Sequence, residues 1–326
     1  MSTLQETKQD RIRAAIPFCL SETTFDFGKK YRGKVRDTYD LGDRLMIVTT
    51  DRLTAFDRSL ALIPYKGQVL NLTSAWWFEQ TSAIVPNHLI TIPDPNVMIV
   101  KKCTVFPIEF VVRGFIAGST DTSLWTQYAK GVRDYCGVHF REGLKKNTVL
   151  DHPVLTPTTK ETEHDRPIAP KEIISEGWMS AKDWEIASNM ALQLFQFGSK
   201  VAGEHGLILV DTKYEFGKTA DGQIVLVDEI HTPDSSRYWL RASYDERMQN
   251  GQSPDHIDKE FMRLWFRDHC DPYRDAVLPV APESLVVTLA ERYIQLYETI
   301  TGNTFVYDQG VFDVAKRIQK HVVGYV

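Results

Sequence analysis

Paired cysteines, long apolar runs and an excess of positive charge are all missing from this 326-residue chain, and each absence removes a class of function. The four cysteines, Cys19, Cys103, Cys136 and Cys270, lie far apart with no CxxC among them. That spacing argues against a zinc site on paired thiols and gives no disulfide framework, so a reducing compartment is expected. The longest apolar runs, such as Leu207-Ile208-Leu209-Val210, fall far short of the ~20 residues that span a bilayer. The stretch Met1 to Ile16 mixes charges and lacks an apolar core, so no signal peptide is expected and the protein reads as cytoplasmic. Lys and Arg number 38 against 43 Asp and Glu, a net charge of −5. This mild acidity argues against a surface that coats nucleic acid and leaves room for a local basic pocket. There is no HExxH, no GxSxG and no dinucleotide-binding glycine motif.

What is present reads as an α+β chain, of a length that suggests about two domains or one large one. Lys34 to Tyr39 and Arg44 to Thr50 flank the turn sequence Asp40-Leu41-Gly42-Asp43 and predict a hairpin. A helix is expected over Asn71 to Ile84, with a poor amphipathic period because Trp76, Trp77 and Phe78 are consecutive. Val97 to Lys101 and Ile108 to Arg113 read as strands. Ser119-Thr120-Asp121 offers an N-cap for a short helix to about Ala129, stopped by Gly131. Val132 to Pro170, broken by several prolines, reads as irregular. A helix capped by Ser180 follows, with Ala187, Met190, Ala191, Leu194, Phe197 and Val201 as its apolar stripe and Gly206 as its end. Leu207 to Phe216 and Gln223 to Ile230 then form strands joined across Asp221-Gly222. Helices over Ile257 to Arg267 and Glu283 to Thr301 complete the chain.

The chemistry concentrates in Leu209-Val210-Asp211-Thr212-Lys213-Tyr214-Glu215-Phe216-Gly217. Alternation along a strand puts Asp211, Lys213 and Glu215 on one face. A two-residue turn at Asp221-Gly222 sets Asp228 opposite Glu215; a turn one residue earlier sets it opposite Lys213. Two carboxylates and a lysine side by side suit a Mg²⁺-nucleotide, because Mg²⁺ prefers one or two carboxylates plus phosphate oxygens and waters. The same pattern also fits a solvent-facing charged ladder. Opposed carboxylates would destabilise a plain sheet, and the strands are otherwise rich in Leu, Ile and Val, which favours a site. Downstream, Thr232-Pro233-Asp234-Ser235-Ser236-Arg237 is a turn with hydroxyls and a guanidinium fork suited to an anion. Upstream, Arg32-Gly33-Lys34-Val35-Arg36-Asp37 places a glycine among cations at the start of a hairpin, as a phosphate cover needs. Arg113 with the Gly114 to Ser119 turn is a third basic cluster, suited to a phosphate. Each of these also fits an ordinary loop or an exposed basic strand. Together they favour ATP-dependent chemistry on an anionic substrate. None of the nine histidines, His231 included, is given a role.

At these same residues the chain resembles the SAICAR synthetase family of purine biosynthesis. The resemblance rests on Pro107-Ile108-Glu109-Phe110-Val111-Val112-Arg113 with Ala117-Gly118-Ser119, and on Leu209 to Gly217. Gly33 to Asp37, Thr50-Asp51-Arg52 with Ala55-Phe56-Asp57, and Asp228 to Trp239 match in order. It spans about residues 17 to 300. It implies an ATP-grasp-like fold: a smaller N-terminal nucleotide-covering lobe (residues 1–105), a larger lobe (106–326) and mainly antiparallel sheets with ATP between them. The implied reaction joins L-aspartate to carboxyaminoimidazole ribonucleotide (CAIR) with ATP and Mg²⁺. By resemblance, Lys34 and Val35 lie over the ATP phosphates, and Lys213 and Glu215 lie in the nucleotide and metal region with Asp228 as a metal-site carboxylate. Arg36, Arg113, Ser119, Ser236 and Arg237 match ribonucleotide-binding positions. Lys160 and Asp165 lie in the segment expected near the reacting carboxylate or the incoming aspartate. Lys213, Asp228, Lys160 and Asp165 are thus the implied catalytic set. The chain is longer than compact family members, and one extra residue between Asp228 and Arg237 leaves open whether Ser235 or Ser236 meets the ligand. A small-molecule kinase and a catalytically silent nucleotide-sensing module are the competing readings; the intact set of Lys213, Glu215, Asp228 and Arg237 disfavours the second.

Overall fold

A computed structural model describes residues 7–56, 58–120, 122–161, 165–307 and 313–326. Asp121 of the expected N-cap, Asp57 of the matched motif and His164 lie outside the described residues. The helices are α1 (Lys8–Ala15), α2 (Lys66–Thr81), α3 (Leu124–Ala129), α4 (Pro170–Ser175), α5 (Ala181–Glu204), α6 (Arg241–Gln249), α7 (Glu260–His269), α8 (Glu283–Thr301) and α9 (Val314–Val322). The early strands are β1 (Lys29–Arg32), β2 (Arg36–Asp40), β3 (Arg44–Thr49), β4 (Arg52–Ala55), β5 (Arg58–Leu62), β6 (Leu89–Asp94) and β7 (Val97–Lys101). After them come β8 (Thr104–Val105), β9 (Ile108–Phe115), β10 (Asp134–Tyr135), β11 (Val138–His139), β12 (Val149–Leu155), β13 (Thr158–Thr159), β14 (Leu207–Lys218), β15 (Ile224–Val227) and β16 (Ser236–Leu240). The chain divides into two compact units: residues 1–76, 89–102 and 258–326 form one, and 77–88 with 103–257 form the other. The chain passes from the first unit to the second at Lys102–Cys103 and returns at Ile257–Asp258, a crossing that carries no mark in composition. Among the described residues, no helix is long and apolar enough to cross a membrane.

The first unit holds an antiparallel sheet in the order β1-β2-β3-β7-β6. Alternation along β2, β3 and β7 turns Tyr39, Met46, Val48, Val97 and Ile99 to one face, which packs against Ile318 and Val322 of α9. The Arg317 guanidinium locks α9 in place by donating to both oxygens of buried Asp94 at 3.0 Å, and His321 Nδ1 meets the same carboxylate at 2.8 Å. A second core joins Ile12 of α1 and Leu53 of β4 to Val69 and Leu70 of α2, Met262 and Phe266 of α7, and Leu289 and Tyr293 of α8. Helix α2 is largely buried through Phe78 and turns polar residues (Lys66, Gln68, Asn71, Thr73, Ser74) inward together with Val69, Leu70, Trp77 and Phe78, which accounts for its missing amphipathic period. It starts at Lys66, earlier than expected, because Asp51, at the turn into β4, accepts a bond from the Gly67 N–H (2.9 Å). A cap supplied from another element leaves no local sequence signal.

The second unit centres on β14, twelve residues long, which pairs with β16 and β9 as far as Tyr214 and with β15 and β8 from Glu215 on. Helix α5 packs on it, capped by Ser180 as expected. Its buried seam is Trp184, Ala187, Ala191, Leu194, Phe195, Gly198 and Ala202, rotated slightly from the expected stripe. Small residues dominate the seam because the helix lies close to what it covers. The expected irregular stretch 132–170 instead supplies β12, which extends the sheet beside β9 with a register irregularity between Val149 and Val154. Pro153 and the lost alternation at that bulge hide the strand in sequence. The N-cap position of the short helix is Ser123 and not within 119–121; its hydroxyl caps no helix N–H and donates instead to the Thr120 carbonyl at 2.7 Å.

Candidate functional site

Asp211, Lys213 and Glu215 interrupt the apolar β14 on one face, as alternation requires. Asp211 and Glu215 are buried. The Lys213 ammonium donates to Glu109 Oε1 at 2.7 Å and to Glu215 Oε1 at 3.0 Å. Lys160 Nζ donates to the other Glu215 oxygen at 2.5 Å. Burial pushes the Glu215 pKa up, but the two lysine charges and their bonds outweigh it and hold the carboxyl at about 2. Burial likewise works against the Lys213 charge; Glu215, Glu109 and Asp228 reverse that and hold its pKa well above the ordinary value.

Neither expected hairpin register occurs. Glu215 pairs with Val227 and Phe216 with Leu226, closing at Thr219–Gln223. Asp228 therefore lies one residue beyond the strand. Plain alternation at that register would send it to the far face, but its backbone is left-handed (φ 66°), which breaks the alternation. Its charge still acts on Lys213. Among the described residues, no three His, Cys, Asp or Glu side chains converge as a ready metal cage. An oxygen-only donor set with Glu215 ionised nonetheless fits Mg²⁺, which takes few protein carboxylates when phosphates complete its shell.

The second cluster lies further along the same strand. Asp211 accepts from Arg113 Nη1 at 3.5 Å and forms an ion pair with Arg237 Nε at 3.2 Å. Thr156 Oγ1 fixes Arg113 through Nε at 2.7 Å. Burial lowers the Arg113 pKa, Asp211 offsets part of that and the Arg237 charge adds to it; a guanidinium stays charged regardless. Two guanidiniums on one carboxylate leave a positive excess, the condition for holding an anion. Gly118, at φ +108°, lets the chain pass close to Arg237: a Cβ there would lie 3.1 Å from its Nη1 and 2.3 Å from Ser123 Cβ. The Gly118 turn thus packs against the Arg237 guanidinium.

The segment 228–236 is fixed from within. The Thr232 hydroxyl donates to buried Glu229, and the Lys213 N–H donates to the Ser235 carbonyl at 3.0 Å. Ser236 begins β16 opposite Thr212, their hydroxyls 2.7 Å apart, while the Ser235 hydroxyl meets Thr232 in the turn. His231 is fully buried, left-handed at φ 51°, and meets the Tyr214 hydroxyl through Nε2 at 2.5 Å. Burial drops its pKa to about 3, so it is neutral at physiological pH. Its ring stands edge-on to Trp77 at 4.6 Å and presses on α5 where only Gly198 fits, a Cβ there lying 2.2 Å from Cε1.

Lys160 follows β13 and its N–H donates to the Pro107 carbonyl (3.0 Å). Asp165 is exposed, and the neighbouring Arg166 carbonyl accepts from the Thr159 N–H at 2.9 Å. In the first unit, Lys34 is exposed and Val35 half-buried in the turn between β1 and β2, and Arg36 stands on β2 opposite Thr49. Sequence reasoning gave no role to Glu109, Asp211 or Thr156. Glu109 becomes legible once β9 is paired with β14: Lys213 stands opposite Val111, so Glu109 continues the same face.

The chain matches the family model described as SAICAR synthetase over residues 29–280. It is 68% identical over 307 residues to a phosphoribosylaminoimidazole-succinocarboxamide synthase of Legionella pneumophila (strain Paris), covering 94% of this chain and 98% of that one. Its fold is similar to a SAICAR synthase from Saccharomyces cerevisiae complexed with SAICAR (TM-score 0.75, 32% identity, 88% of this chain and 99% of the other). It is also similar to a type-2 SAICAR synthetase in complex with ADP (TM-score 0.65, 27% identity, 86% of this chain and 100% of the other).

Proposed function

Because this chain belongs to the SAICAR synthetase family, we propose that it is the ATP-dependent ligase that condenses CAIR with L-aspartate to give SAICAR, ADP and phosphate. The single observation that carries the reading from this molecule's own residues is the pair of opposite clusters on one strand face. Lys213, Lys160, Glu109 and Glu215 suit a metal-nucleotide, and two guanidiniums sharing Asp211 suit the ribonucleotide phosphate.

A carboxylate is a poor acyl electrophile because its leaving group would be oxide. Transfer of the ATP γ-phosphoryl group to the CAIR carboxylate gives an acyl phosphate with a good leaving group. The neutral amine of aspartate then attacks the acyl carbon, the C–O bond to phosphate breaks and the amine proton is lost. Lys34 and Val35 are assigned to the nucleotide phosphates. Lys213 and Lys160 offset charge on the phosphoryl group as it moves, with Glu109 and Glu215 fixing the Lys213 ammonium. Glu215 and Asp228 are assigned to Mg²⁺, which when bound would neutralise phosphate charge. Arg113, Arg237, Ser119, Ser236 and Arg36 are assigned to the ribonucleotide, chiefly its phosphate. Asp165, with Lys160, is assigned to the side where aspartate enters. Holding three substrates together supplies much of the rate through positioning. Residues 1–105 are assigned to nucleotide covering and 106–326 to the substrate site.

The test is ADP release by the purified protein with Mg-ATP, CAIR and L-aspartate, omitting each in turn. ADP formed only with all three, with a succinocarboxamide product and ¹⁸O passing from labelled CAIR carboxylate into phosphate, is the expected result. ADP formed with CAIR alone and no amide product would instead make the protein a kinase. Nucleotide binding with no turnover would make it a sensing module.

A further inference from the structure

The Gly33-Lys34 turn is exposed, yet its backbone is fixed from beneath by a residue to which no role has been given. Arg52, 3% exposed, opens β4. Its Nη2 donates to the Gly33 carbonyl at 3.0 Å and to Asp37 Oδ1 at 2.9 Å. Its Nε donates to the Lys34 carbonyl at 3.2 Å, and Nη1 to the Ser21 carbonyl at 2.5 Å. The next carbonyl, Val35, accepts from the Thr50 N–H at 3.0 Å and from its hydroxyl at 2.8 Å. Asp37 is itself fully buried and anchored by the Thr23 N–H (2.7 Å) and hydroxyl (3.0 Å), so the guanidinium has a fixed counter-charge.

Three consecutive carbonyls are thus bonded inward. In a trans peptide the N–H and the C=O lie in the peptide plane and point in opposite directions. Pinning the Gly33 and Lys34 carbonyls on Arg52 therefore turns the N–H groups of Lys34 and Val35 away from it. Successive N–H groups on one side of a turn make an anion-binding concavity. A lone carbonyl bond would leave each peptide plane free to rotate; a planar fork that reaches two carbonyls and a carboxylate at once does not.

We propose that Arg52 is a positioning residue for nucleotide binding: by holding the Gly33 and Lys34 carbonyls inward it presets the N–H groups of Lys34 and Val35 for the nucleotide phosphates. This rests on the assignment of that turn to the phosphates. Arg52 itself is too buried to be a ligand. Lysine in its place keeps the charge and loses the fork.

The test is steady-state kinetics of Arg52→Lys in the full chain, with ADP affinity measured by calorimetry. KM for Mg-ATP and the ADP dissociation constant are expected to rise together by about tenfold, the scale of one lost charge-assisted bond. KM for CAIR and for aspartate should stay within about threefold of wild type, a split that a general loss of structure does not produce. Thr50→Val, which removes only the hydroxyl bond to Val35, should move the same two constants by a smaller factor. Should Arg52→Lys not fold, the charge-free pair Arg52→Met/Asp37→Asn tests the same point. Lys34→Ala separates the two levels. If it weakens ATP while a folded Arg52 variant binds ATP normally, the positioning role is overturned and the turn's assignment stands. If both leave ATP binding unchanged, the assignment itself falls. A uniform rise in all three KM values would mean that Arg52 only maintains the fold, and would also overturn the proposal.

Discussion

Asp211 shows how a single side chain sets the character of a site: one carboxylate shared by two guanidiniums keeps them close together without cancelling them. Arg113→Ala should therefore raise KM for CAIR by about a hundredfold, as loss of charge-assisted bonds to a phosphate would, with a smaller change in kcat; steady-state kinetics checks the split. His231 gives a different residue-scale prediction. Its pKa is depressed from 6.5 to about 3 in the folded protein. Between those values the unfolded chain binds the extra proton, so stability present above about pH 6.5 is lost as pH falls toward 3. The double variant His231→Leu/Tyr214→Phe removes the titrating group and its partner together. Its unfolding free energy in urea should fall less between about pH 6.5 and pH 4 than wild type's. Period-two alternation made the shared face of Asp211, Lys213 and Glu215 legible in the sequence. Glu109 was not, because its bond to Lys213 joins residues 104 apart and depends on a strand register that no local pattern encodes. The position of Asp228 was missed for a related reason: a left-handed backbone at a residue other than glycine leaves no mark in composition.

Elements were legible where their signals are local. The Ser180 cap, the helix expected over Glu283 to Thr301, and the strands β7 and β9 were all read from local pattern. Elements held by distant partners were not, as the early start of α2 on Asp51 and the bulged β12 show. Helix α5 offers the sharpest packing test. Gly198→Ala would normally favour a helix by up to about 1 kcal/mol, but here the added methyl meets the His231 ring. Overpacking of this kind costs about 1–3 kcal/mol, so a net fall of several degrees in Tm is expected by calorimetry. Helix α9 is held by a buried ion pair, and Asp94→Asn would remove the carboxylate that Arg317 and His321 share. Losing one partner of such a pair costs about 3–5 kcal/mol. Limited tryptic digestion should then cut at Lys316, Arg317 or Lys320 well before the rest of the chain.

At the scale of the whole molecule, a ligand that binds only the folded state raises stability by mass action. ADP with Mg²⁺ at about a hundred times its dissociation constant adds about 2.7 kcal/mol, a Tm rise of several degrees by thermal denaturation. Without Mg²⁺ the rise should shrink, and Glu215→Gln should shrink it further. The antiparallel α+β class was readable from alternation and turn chemistry. The discontinuous make-up of the first unit was not, since segments far apart in the chain share one core without any common sequence pattern. That make-up has a consequence for how the protein is born. Leu53, Val69 and Leu70 leave the ribosome long before Met262, Phe266 and Leu289, the partners that cover them. At about 5–20 residues per second, the early half of that core waits on the order of ten to forty seconds for its other half. The second unit is nearly continuous and can close first, so the nascent chain carries a finished sheet while its earlier apolar surface stays open. Synthesis stalled near residue 257 would leave that surface to chaperones, or to aggregation.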